Sequence, residues 1–200
     1  MIILLRHGAI EAAKGRFIGD TEMDLSPQGR AQAEELGRAL ADKGLRALYA
    51  SPLGRTLDTA APIARSTGLE IVQVPELAEI HLGDWEGRLI EDVKREEPDA
   101  YAARGRNFAE FCPPDGESFR DLQERALIGL EKVSSGPLPC AVVTHSGVIR
   151  VLLCHAHGLD VGELFRFEPM PAHAHLFQRS GTGWTTLREN VTAQDLPTFL

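Results

Sequence analysis

Cysteine is scarce in this chain: Cys112, Cys140 and Cys154 are the three in 200 residues. An odd count in no metal-ligand spacing excludes a disulfide framework and a zinc knuckle, and predicts reduced thiols in a cytoplasmic protein, each a small buried apolar residue. Long apolar runs are missing as well. Met1-Ile-Ile-Leu-Leu is a strand's length, too short for a signal-peptide core or for the ~20 residues of a membrane helix. Positive charge is in deficit, with 21 Lys and Arg against 29 Asp and Glu and a net charge of −8. That balance argues against nucleic acid or an anionic membrane as partner, and requires any anionic ligand to be drawn by a local group of cations. No repeat, low-complexity tract or Pro/Gly/Ser linker divides the chain, so residues 1–200 are expected to form one domain. No Asp, His or Cys cluster has convincing ligand spacing, so neither metal nor cofactor is expected.

What the chain does have is Arg6-His7-Gly8 directly after the first apolar run. An imidazole beside a fixed cation at a strand tip suits ligand chemistry at the carboxyl edge of an open α/β sheet. Ser26-Pro27 opens a predicted helix over 28–43, with Gly44 past its end. Strands are predicted at Ala47–Ala50, Glu70–Val74 and Cys140–Thr144. Helices are predicted at Leu53–Thr67, Leu89–Glu97 before Pro98, Ser118–Val133 and Gly147–His157. His175–Arg179 and Trp184–Arg188 pair as a hairpin around Ser180-Gly181-Thr182-Gly183.

Alternating strands and helices call for a mainly parallel sheet covered on both faces. The chemically interesting side chains follow the strands: Arg6 and His7 the first, Ser51 to Arg55 the second, Glu79 the third, His145 and Ser146 the fourth. Guanidiniums bind phosphate oxygens bidentately. An imidazole can attack phosphorus, and a carboxylic acid can protonate the leaving oxygen and later activate water. Such a site works by positioning and fixed cations.

In their order and spacing, Leu5-Arg6-His7-Gly8, Arg16 to Gly19, Ser51-Pro-Leu-Gly-Arg55, Glu79-Ile-His-Leu-Gly83 with Trp85-Glu86-Gly87, and Val143-Thr144-His145-Ser146-Gly147 resemble the motifs of the histidine phosphatase superfamily. The resemblance covers nearly the whole chain and implies a three-layer α/β/α sandwich with a mainly parallel central sheet. It implies His7 as nucleophile, Glu79 as proton donor and later base, and Arg6, Arg55 and His145 as the phosphate pocket, with Ser146 a minor contributor. The implied activity is a metal-independent phosphomonoesterase acting on a small phosphorylated metabolite through phosphohistidine. The alternatives are mutase-type phosphoryl transfer and a non-catalytic phospho-ligand binder.

The chain departs from the family after Gly8, where Ala9, Ile10 and Ala13 replace the usual polar residues. Either the backbone amides at Gly8 and Gly19 take over in the phosphate pocket, or the pocket is shaped for a different ester. Gly83 to Arg88 and Pro113 to Phe119 resemble the α-ribazole phosphatases of cobalamin synthesis, which makes α-ribazole 5'-phosphate the candidate ester. Arg88, Arg104, Arg106 and Asn107 lie where they would cap the pocket, and His81 near its rim. Of the histidine pairs, only His173 and His175 have strand spacing that would let them share a face.

Overall fold

The computed structural model describes residues 1–11, 15–181 and 183–199. Ala13, one of the departures from the family pattern, and Thr182 of the hairpin turn lie outside them. Strand β1 covers Ile2–Arg6, β2 Ala47–Ala50, β3 Ile71–Gln73, β4 Cys140–Thr144, β5 Ala174–Ser180 and β6 Gly183–Val191. They form one six-stranded sheet in the order β3-β2-β4-β1-β5-β6. β3, β2, β4 and β1 run parallel, whereas β5 is antiparallel to β1 and β6 to β5.

Among the described residues there are six α-helices, α1 Pro27–Leu40, α2 Gly54–Thr67, α3 Ile90–Glu96, α4 Pro98–Arg106, α5 Phe119–Ser134 and α6 Ser146–His157, of which α1, α2, α5 and α6 pack on the sheet. Side chains on a strand alternate between faces, and here each face feeds a different layer. Ile3, Leu5, Ala141 and Val143 pack with Leu36 and Leu40 of α1 and Ile63 of α2. Ile2, Leu4, Cys140 and Val142 pack with Leu122 and Leu130 of α5 and Ile149 and Leu152 of α6. That partition makes the three-layer α/β/α sandwich.

Local chemistry sets the helix ends. The Ser26 side chain accepts from the Gly29 amide at α1, and Ser118 with Asp121 forms a reciprocal capping box at α5. Gly68 and Gly158 end α2 and α6 in the left-handed conformation, at φ 72° and 65°. Pro98 opens α4 rather than merely closing α3, because its missing N–H costs nothing at a first helical position. The sequence reading saw only the terminator and missed the helix. The predicted third strand is shorter than expected, and the C-terminal hairpin longer. Cys140 and Cys154 are buried as expected, but Cys112 is exposed, in a loop that leaves nothing to cover it. Among the described residues, no helix is long and apolar enough to cross a membrane.

Candidate active site

The parallel strands end together, and main-chain bonds lock their tips. The His7 amide donates to Thr144 O at 2.9 Å and the Ser51 amide to Val143 O at 3.0 Å. Above this edge opens a cleft of about 410 Å³ lined by Arg6, His7, Arg55, Glu79, Ser146 and Gly147, among others. The structure thus gathers side chains from four distant segments, as the sequence predicts.

His7 is buried, and its Nδ1 lies 2.7 Å from Gly8 O. A carbonyl only accepts, so Nδ1 carries the proton and Nε2 keeps its lone pair. Burial, reinforced by the Arg6 and Arg55 charges, lowers the His7 pKa to about 3. The ring is therefore neutral and nucleophilic at physiological pH. Arg6 donates to Pro169 O at 2.7 Å, while its buried Nε has no partner among the described residues. Arg55 is held by Thr21 O and Gly19 O, each at 2.8 Å, and its Nε is likewise unpartnered. Burial pulls both guanidiniums down from their ordinary values, and Glu79 is the charge that most opposes that shift.

The carboxylate of Glu79 sits at the N-terminus of α6, where Oε2 accepts from the Gly147 amide at 3.0 Å and Oε1 from its own neighbour Ile80 at 3.1 Å. Any side chain at position 147 would collide with it, since a Cβ there would stand 2.3 Å from Oε1. Arg125 fixes the backbone beneath, donating to Ala78 O at 2.6 Å and Glu79 O at 2.8 Å while pairing with Glu117. His145 is fully buried, its ring centroid 5.3 Å from that of His7. Burial and the neighbouring cations push its pKa well below the ordinary value.

Gly8 and Gly19 require a correction. The Gly8 amide donates to Thr59 Oγ1 at 3.0 Å and the Gly19 amide to Glu86 Oε2 at 3.1 Å. Neither N–H is free for a phosphate, because both are used to hold the loops. Glu86 is the latch: it also accepts from the Asp20 and Leu82 amides at 3.1 and 3.0 Å and from the Thr21 hydroxyl. The same loop supplies the carbonyls that hold Arg55, so Glu86 positions that guanidinium indirectly. Asp20, His81 and Glu86 bring one ligand atom each to within 4.8 Å of one another. Both Glu86 oxygens are already filled by donors, and His81 faces the Asp20 carboxylate at 3.0 Å, so these groups fit a loop clasp and not a metal.

The outer cleft divides the sequence-selected residues. Arg104 lines it, whereas Arg88 pairs with Glu96 and Glu97 and Arg106 and Asn107 are exposed outside it. Ile10 turns an apolar side chain into the cleft, and Ala9 faces α1, its amide 2.9 Å from Gln32 Oε1. His175 is buried with both ring nitrogens unpartnered, and His157 pairs with Glu189 at 2.6 Å. The sequence reading missed Arg150, which lines the cleft and is one helical turn beyond Ser146 on α6. Its i,i+4 spacing from Ser146 was the available signal. Phe119 and Phe165, also missed, carry no comparable signal.

A catalytic edge of this kind on this sheet defines a class, and the comparisons specify it. The profile of the histidine phosphatase superfamily (branch 1) matches residues 2–192. The chain belongs to that superfamily. It is 32% identical over 169 residues to phosphoserine phosphatase 1 of Hydrogenobacter thermophilus, covering 83% of this chain and 80% of that one. To glucosyl-3-phosphoglycerate phosphatase of Mycolicibacterium vanbaalenii it is 32% identical over 170 residues, covering 80% and 75%. The crystal structure of the α-ribazole phosphatase from Shigella flexneri superposes with a TM-score of 0.85 at 25% identity, covering 94% of this chain and 95% of that one. The chain is accordingly a phosphoric monoester hydrolase of the histidine phosphatase family.

Proposed function

We propose that the chain hydrolyses a small phosphorylated metabolite through phosphohistidine, with no metal in the reaction. The observation that carries this reading is the Nδ1 contact of His7 to Gly8 O, which leaves Nε2 unprotonated beside two cations. Nε2 attacks phosphorus, an N–P bond forms as the ester P–O bond breaks, and Glu79 delivers a proton to the departing oxygen. Water then attacks phosphorus while the Glu79 carboxylate takes its proton. The N–P bond breaks, its electron pair returns to Nε2, and inorganic phosphate leaves. Arg6, Arg55 and His145 stabilise the equatorial oxygens in both steps, with Ser146 at the pocket's edge.

The net charge of −8 set against a cleft lined by Arg6, Arg16, Arg55, Arg104 and Arg150 supports a small anion as ligand, not nucleic acid or a membrane, and the free thiols of Cys112, Cys140 and Cys154 support a cytoplasmic setting. The likeness to an α-ribazole phosphatase and the rings of Phe119 and Phe165 on the cleft support α-ribazole 5'-phosphate as substrate. A second reading is favoured by Arg104. Its guanidinium rests 4.1 Å from the Phe108 ring centroid and 5.3 Å from that of Phe17, with no hydrogen-bond acceptor among the described residues. A leaving group that carries a carboxylate would supply that acceptor.

Hydrolysis of p-nitrophenyl phosphate in EDTA, by the wild type and by His7→Ala, tests the chemistry. The wild type is expected to turn over and the variant to lose about 10⁴-fold or more, as covalent catalysts do without their nucleophile. Equal rates would overturn the assignment. Turnover of α-ribazole 5'-phosphate against phosphoserine and phosphoglycerates separates the two substrate readings.

A further inference from the structure

Ser51 has no place in the mechanism so far, yet it is completely buried at the tip of β2 with its Oγ 2.7 Å from His145 Nε2. The other ring nitrogen, His145 Nδ1, is buried with no partner among the described residues. Two arrangements of protons fit the short contact, and they differ in how many polar groups they strand. If Nε2 carries the proton, it donates to Ser51 Oγ. The serine hydroxyl proton then has no acceptor, and Nδ1 presents a bare lone pair to buried surroundings. If Nδ1 carries the proton, the Ser51 hydroxyl donates to Nε2 and its oxygen accepts from the Leu53 amide at 3.4 Å. Only the Nδ1–H is then left over. Buried hydroxyls and ring nitrogens are rarely left unpaired, because each costs about 1–3 kcal/mol.

We propose that Ser51 is a positioning residue: its hydroxyl donates to His145 Nε2, fixes the imidazole as the Nδ1–H tautomer, and so presents Nδ1–H to an oxygen of the transferring phosphoryl group. This rests on the phosphoryl-transfer reading above. The ring centroid of His145, 5.3 Å from that of His7, is near enough for a phosphoryl group on His7 to reach it. A second hydrogen-bond donor then meets the charge that develops on phosphorus. The opposite tautomer would aim a lone pair at an anion. Burial, with the Arg55 charge nearby, holds the ring neutral, so a tautomer, not a protonation state, is what Ser51 decides.

The test is NMR of the ¹⁵N-histidine-labelled full chain at pH 7, with inorganic phosphate as the probe, joined to kinetics of Ser51→Ala and Ser51→Thr on p-nitrophenyl phosphate. In the wild type, His145 is expected to show a protonated Nδ1 and a bare Nε2, and phosphate to shift the Nδ1–H signal. Ser51→Ala should move the ring toward the Nε2–H form ordinary for free imidazole and lower kcat about 10²-fold, the worth of one transition-state donor, with KM changing less. Ser51→Thr, which keeps the hydroxyl, should restore both tautomer and rate. A wild-type His145 protonated on Nε2 overturns the proposal, and so does a Ser51→Ala enzyme with unchanged kcat. Should Ser51→Ala fail to fold, the wild-type spectrum alone decides. An inactive wild type would defeat the phosphoryl-transfer reading while leaving the tautomer measurable.

Discussion

The inner and outer ends of the cleft are built on different principles. At the inner end four of the key groups are tied to main chain, His7 to Gly8 O, Arg6 to Pro169 O, Arg55 to two carbonyls and Glu79 to the Gly147 amide, and His145 is held by the buried Ser51 hydroxyl. At the outer end Arg104 rests on phenyl rings, and Arg150 lies with its guanidinium carbon 5.1 Å from the Phe165 ring centroid, its Nε donating to Phe167 O. Backbone anchors fix position, and the carbonyls and amides that make them are not removed by a side-chain substitution. Stacking on rings permits sliding at little cost. The contrast teaches that the chemistry is rigid while the part facing the leaving group is adaptable.

The largest effect that would sharpen this contrast is at Glu79. Glu79→Gln is expected to slow alkyl phosphates by about 10²–10⁴-fold and aryl phosphates much less, because only a poor leaving group needs the proton. A uniform loss across leaving groups, measured as kcat/KM, would remove Glu79 from the acid role. At the outer end the effect should be smaller and should depend on the substrate tail. Arg104→Ala is expected to raise KM roughly tenfold for carboxylate-bearing esters, about one hydrogen bond to a charged group, and to raise it less for neutral-tailed ones. Equal changes for both would break the idea that the rim reads the tail.

The smallest effect asks whether burial alone keeps an imidazole neutral away from the site. Burial lowers the pKa of His175 to about 4, as it lowers that of His7 to about 3. Their unfolded value is near 6.5, so the unfolded chain binds protons first as the pH drops. Stability from these groups is full above about pH 6.5 and falls toward pH 4, by up to roughly 1.4 kcal/mol per pH unit for each such histidine. His175→Leu removes one of them, and urea unfolding at pH 7 and pH 5 should show a shallower loss than in the wild type. An unchanged slope would mean that His175 already titrates normally.

The inner end was legible in the sequence because its residues follow strands, and strands announce themselves by apolar runs. Arg6, His7, Arg55, Glu79, His145 and Ser146 all arrived at one edge for that reason. The amides of Gly8 and Gly19 were misread because an N–H looks the same in sequence whether it is free or bonded. Thr59 and Glu86, which take those two bonds, lie 51 and 67 residues away from them. The helix α4 was hidden by a proline that ends one helix and begins the next. Arg104 could be selected from the sequence, but its seat between Phe17 and Phe108 depends on how α4 docks, and pairwise spacing carries no trace of that.

The sheet order has a consequence for synthesis of the chain. β1 emerges first, yet Ile2 pairs with Cys140 on one side and Phe177 on the other. The strand that leads into His7 therefore has no neighbour until most of the polypeptide has left the ribosome. Such late, long-range closure is slow in two-state folders, since loop entropy must be overcome before the pairing rewards it. Apolar Ile2 to Leu5 is meanwhile an unpaired segment, of the kind that makes an incomplete chain prone to aggregate. Catalytic competence in this protein thus waits on β4 and β5, which are made long after the nucleophile itself.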